Sequence, residues 1–119
     1  MVHCCLSDDA AAAAAAARAV VLRYVLHPSV SALFGETGGG VDLRAARELT
    51  LAGDRAGAAA QVPQQVADGF VAHGSAATCA ARVKEYRDAG VDLPVLFPVP
   101  VAGDWGYEQT IARMGGTGL

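Results

Sequence analysis

The stretch Ala89–Pro100, AGVDLPVLFPVP, constrains the fold more than any other part of this 119-residue chain. It reads as a helix end, a tight turn at Gly90 and then a strand. Val95, Leu96, Phe97 and Val99 form a nearly continuous apolar run in which polar and apolar residues do not alternate. Such a strand is predicted to be covered on both faces, as in parallel sheets flanked by helices. Only one other segment, Val2–Leu6, reads as a strand able to pair with it. A two-stranded sheet is marginal in water, and a buried parallel pair more so. The expectation is therefore part of a larger α/β domain, predominantly helical, with about two short parallel strands.

Most of the remaining sequence carries helical signals. Ser7 and Asp8 offer N-cap chemistry ahead of a helix from Ala10 to about Leu26. Alanine favours helix there, and Ala10, Ala14, Ala17, Val21 and Val25 recur at the spacing of one packed face. Pro28 lies just beyond the stop. Ser29–Phe34 reads as a short helical turn and Gly35–Gly40 as the loosest loop of the chain. Asp42 caps a helix to about Ala52, and Asp54 caps another after Gly53. Pro63 suits the first position of a helix over Pro63–Ala72, with Val62, Val66 and Phe70 as its buried stripe and Gly74 as its end. Ser75 then caps Ala76–Ala89, where Cys79, Val83 and Tyr86 share a face, and Gly90 supplies a left-handed stop. Tyr107, Ile111 and Met114 mark a last amphipathic helix, with residues 115–119 expected to fray. Residues 1–119 read as a single segment without internal repeats.

Composition and motif spacing exclude several classes of function. A hydrophobic share of 53% with 18% charged residues describes a globular chain. The net charge is −3, Lys84 is the only lysine and the arginines are dispersed, which argues against a nucleic-acid partner. Ala10–Leu26 is short for a membrane span and carries Arg18 and Arg23, so no membrane association is predicted. Met1–Ser7 lacks the basic segment of a secretion signal, and the expected location is the cytoplasm. Cys4, Cys5 and Cys79 are odd in number and irregular in spacing, which does not make a disulfide framework. Adjacent Cys4 and Cys5 face opposite sides of a strand, and small buried thiols are favoured over a vicinal redox pair.

No catalytic constellation is visible. His3, His27 and His73 fall in three elements without metal-ligand spacing, and no serine occupies a GxSxG elbow. His73 reads as a residue at a helix C-terminus, where the dipole explains it. Asp8 and Asp9 read as caps rather than an acid/base pair. Gly38–Gly40 lack the following Gly-Lys-Ser/Thr of a phosphate cradle. One positional hint remains, because parallel α/β folds place their chemistry at the carboxyl ends of the strands. That rule marks Phe97 and Pro98 as candidates for the mouth of a pocket, with Trp105 in the following loop as a possible wall.

Four stretches together carry a resemblance: SDDAAAA (Ser7–Ala13), the long helix to His27–Pro28, AGDRAGAAAQVPQQVADGFVAHGS (Ala52–Ser75) and EYRDAGVDLPVLFPVP (Glu85–Pro100). From about Val2 to Met114 the chain resembles the C-terminal part of the luciferase-like flavin- and deazaflavin-dependent oxidoreductases. Within them it is most similar to enzymes resembling methylenetetrahydromethanopterin reductase. The resemblance implies the C-terminal segment of a (β/α)8 barrel, with Val2–Leu6 as a late strand and Val95–Val99 as the last. It implies deazaflavin or FMN in the full-length family, held mainly by earlier strands with no counterpart here. No catalytic or cofactor residue is therefore carried over, and Phe97 and Pro98 stand only as barrel-mouth or substrate candidates. The chain alone is expected to bind no cofactor and to be inactive. Its expected partner is the missing N-terminal barrel part or a second copy of itself. The alternative is a stand-alone helical interaction or oligomerisation module without catalysis.

Overall fold

The computed structural model of the chain describes residues 1–29, 43–101 and 106–115. The readings for the glycine loop, the Asp42 cap, Trp105 and the frayed end beyond Gly115 lie outside the described residues. In chain order the elements are β1 (Val2–Leu6), α1 (Ala10–Leu22), α2 (Arg44–Leu51), α3 (Arg55–Ala60), α4 (Gln64–Phe70), β2 (Val71–Gly74), α5 (Ala76–Asp88), β3 (Leu96–Pro98) and α6 (Tyr107–Gly115). They form two compact units, Met1–Ala17 with Val71–Leu119, and Arg18–Phe70. The described residues are thus mixed α/β, mostly helical, with three parallel strands.

The first unit is built on a three-stranded sheet of order β2-β1-β3. Both ladders are parallel, with Cys5 opposite His73 in one and His3 opposite Phe97 in the other. Successive strand residues face opposite sides, so Val2, Cys4 and Leu6 share one face. That face forms the core with Ala72, Cys79 and Met114, and Leu96 and Tyr86 pack against it. Full burial of a Val or Leu side chain stabilises by about 1.5–3 kcal/mol, and Leu6 and Val83 are both essentially inaccessible. A wall laid down in chain order would place β2 in the middle, whereas here β1 is central.

Two expectations for the strands need correction. The helix placed over Pro63–Ala72 ends at Phe70, and Val71–Gly74 is a third strand. Pairing along β1 outweighs another helical turn, and β-branched Val71 suits a strand better than a helix. Gly74 therefore ends a strand, not a helix. The second correction concerns the apolar run: none of the three residues of β3 is buried, and Val95 beside them is 57% exposed. Among the described residues β3 is the outer strand, with β1 on one side only.

The helix boundaries follow their caps closely. Asp54 Oδ1 accepts the Gly57 N–H at 2.9 Å, and Ser75 Oγ accepts the Thr78 N–H at 3.2 Å. Gly90 takes the predicted left-handed conformation, φ 107°, directly after α5. At α1 the cap is Asp9 rather than Ser7 or Asp8: its Oδ1 accepts from the Ala11 and Ala12 N–H groups at 3.0 and 3.2 Å. α1 ends at Leu22, short of Leu26, and Ala10 is exposed while Ala13 and Ala17 are buried. In α6 the buried residues are Thr110 and Met114, whereas Tyr107 and Ile111 face solvent.

The second unit is helical. Val62 and Val66 are buried as predicted, and Phe70 meets the Tyr24 ring edge-on at 5.5 Å between centroids. Arg18 donates to Gln64, whose amide in turn donates to Asp68 at 2.9 Å.

Candidate functional site

The carboxyl ends of the three strands are where parallel α/β folds place their chemistry. At the end of β1, Ser7 is buried; its N–H donates to the Gly74 carbonyl at 2.9 Å and its Oγ accepts the Asp9 N–H at 3.0 Å. Those bonds tie the ends of β1 and β2 together and turn the chain into α1. Asp9 is occupied as the cap of that helix, and exposed Asp8 lies 3.8 Å from Arg113. At the end of β2, Gly74 has φ 120°, a conformation that L side chains rarely adopt. An added Cβ there would lie 3.3 Å from Thr78 Cγ2, so only glycine lets the strand turn directly into the Ser75 cap. These residues are committed to building the turns.

Phe97 and Pro98, the two barrel-mouth candidates, sit on the outer strand and face opposite sides of the sheet. The Phe97 ring lies 5.3 Å from the buried His3 ring at a 54° tilt. Pro98 instead lines an open cavity of about 230 Å³ together with Leu96, Ile111, Met114 and Gly115. The structure therefore does not bring the two into one site. The cavity lining is apolar, with no charged side chain to orient a ligand.

The cysteines are buried as their sequence context suggests, whereas His73 is placed differently. His73 lies on β2 opposite Cys5, not at a helix end, and shares that sheet face with His3. The overlooked signal was VAHGS itself: a β-branched residue, a glycine and a capping serine in the order strand, turn, helix. Even so, no group of three or more His, Cys, Asp or Glu among the described residues could hold a metal ion. None of the three cysteines is in a disulfide, and all three are buried. Burial pushes the Cys4 thiol up to about 11. Burial, with Cys4 and Cys5 close by, pushes Cys79 up to about 12. A nucleophilic or redox thiol needs a thiolate at working pH, whereas Cys4 and Cys79 are held as neutral S–H groups donating to the Val2 and Gly74 carbonyls.

A flavin requires an enclosed slot for its ring system and donors for its phosphate. The cavity beside Pro98 falls below the roughly 300–1,000 Å³ usual for sites that bury a ligand of that size, and its lining is mainly apolar, so it does not fit that group. Among them, no helix is long and apolar enough to cross a membrane.

No curated protein and no solved structure matches the chain. A family profile described as luciferase-like monooxygenase matches residues 1–93, a stretch that holds β1, β2 and α1–α5. The matched span covers most of the stretch over which the resemblance was read, and the chain belongs to the luciferase-like monooxygenase family.

Proposed function

We propose that this chain is the C-terminal portion of a flavin- or deazaflavin-dependent oxidoreductase or monooxygenase and is inactive alone. The observation that carries this reading is the family match over residues 1–93. One structural feature supports it. Leu93, Val95 and Phe97 are exposed, as expected of apolar side chains that the rest of a larger (β/α)8 barrel domain would cover. On this reading the partner is the rest of the barrel, the location is cytoplasmic, and Phe97 and Pro98 lie toward the barrel mouth. The test is a titration of the isolated chain with FMN and with a deazaflavin at micromolar concentrations. No saturable binding is expected, and a saturable isotherm for either would overturn the reading.

The strand order favours a second reading. With β1 central, the sheet is not laid down in the chain order of consecutive barrel strands. That arrangement suits a stand-alone interaction or oligomerisation module that lost catalysis. Size-exclusion separates the two: a module elutes as a discrete dimer with a cooperative melt, whereas a barrel portion is aggregated or molten.

A further inference from the structure

β3 stands in a place that chain order does not explain. In a barrel each parallel strand lies between the strands before and after it in sequence, which would put β3 beside β2. Here β3 pairs instead with the far edge of β1, and among the described residues β2 has β1 on one side only. On the barrel reading proposed above, on which this inference rests, that edge of β1 belongs to the strand that precedes it.

The hold of β3 on β1 is slight beside that of β2. Four residues of β1, His3–Leu6, are in register with β2, and three, Val2–Cys4, with β3. Three of the four residues of β2 are buried, and none of the three in β3 is. Leu96 and Pro98 do not close against α6: with Ile111, Met114 and Gly115 they leave an open cavity of about 230 Å³. Local opening costs least where few apolar side chains are buried, so β3 is the strand of this sheet best able to come away while the others stay folded.

We propose that β3 is a detachable strand. In the isolated chain it covers the second edge of β1, which would otherwise template pairing with another molecule. In the complete barrel it yields that edge to the preceding strand and moves beside β2, its neighbour in chain order.

The test compares two equally enclosed amides. Ser7 donates to the Gly74 carbonyl at 2.9 Å, between β1 and β2, and Val99 donates to the Cys4 carbonyl at 2.8 Å, between β3 and β1. The two residues are 1% and 4% exposed, so solvent access does not separate them. In the isolated chain the Val99 amide should exchange its hydrogen at least about tenfold faster than Ser7. Mild urea should leave the Val99 rate unchanged and quicken that of Ser7, because a local opening exposes little surface. Equal rates with the same urea dependence would mean that β3 leaves only when the whole chain unfolds, and would overturn the proposal. In the complete barrel the nuclear Overhauser contact between the Val99 amide and β1 should be absent, and its presence would overturn the relocation. The flavin titration is a separate matter. A chain that binds no flavin but protects Val99 as well as Ser7 keeps the barrel reading and loses this one.

Discussion

β1 and β3 lie side by side in one sheet and bond to each other, but their surroundings are opposite. All five residues of β1 are buried, and none of the three in β3 is. Composition does not explain this, since LFP is no less apolar than VHCCL. Position does: β1 has a strand on either side and the core residues of α5 and α6 against one face, while β3 is the outer strand. The apolar character of a strand states how much surface it offers for burial. Whether that surface is buried depends on what else is present to cover it.

The largest effect that sharpens this contrast comes from a charge placed in each environment. Val83→Asp puts a carboxylate at a fully buried position of α5 and should cost more than about 4 kcal/mol, enough to unfold the chain. Val95→Asp, at a position 57% exposed, should change stability by no more than about 0.5 kcal/mol. Circular dichroism with urea titration reads both, and equal losses would break the contrast.

Backbone strain gives the next largest effect. Gly74→Ala must hold a positive φ while its Cβ crowds Thr78, for a cost of about 1–3 kcal/mol. Gly90→Ala meets nothing within 4 Å and should lose only the conformational part, about 1 kcal/mol. Thermal melts of the two variants check the order.

The covered face also carries a pH signature. Cys4 and Cys79 have folded-state values of about 11 and 12, above the ordinary 9.0. Above pH 9 the unfolded chain releases thiol protons that the folded chain keeps. Stability is therefore full below pH 9 and falls as pH rises toward 11–12. Denaturant midpoints measured across that range should decline, and Cys79→Ala should flatten the slope while lowering stability at neutral pH. The smallest effect is at a helix end: Ser75→Ala removes the bond to the Thr78 N–H and should cost about 1 kcal/mol in a urea melt.

Local chemistry made much of the fold legible in advance. Asp54, Ser75 and Gly90 fixed helix ends because a cap or a left-handed stop depends only on neighbouring residues. Val71–Gly74 was misread as the end of a helix because its strand character comes from pairing with β1, far away in sequence. Val95–Phe97 was read as covered on both faces, and within this chain Val95 and Phe97 are not, because apolarity tells what surface a strand offers and not what this chain supplies to cover it. At the candidate site, sequence marked the carboxyl end of β3 but not that Phe97 and Pro98 face opposite sides. Of the three residues offered as caps for α1, Asp9 provides the cap, while Ser7 accepts the Asp9 N–H instead, a choice that local composition does not make.

The most direct test of the contrast between the two strands compares Leu6→Ala with Phe97→Ala by urea unfolding. Leu6 is fully enclosed on β1, and its truncation should cost about 2–5 kcal/mol. A buried phenylalanine would lose about 3–5 kcal/mol on the same change, but Phe97, 38% exposed and touching His3, should lose no more than about 1.5 kcal/mol. Losses in that ratio support β3 as a strand whose apolar surface this chain leaves uncovered. A loss at Phe97 equal to that at Leu6 would contradict it.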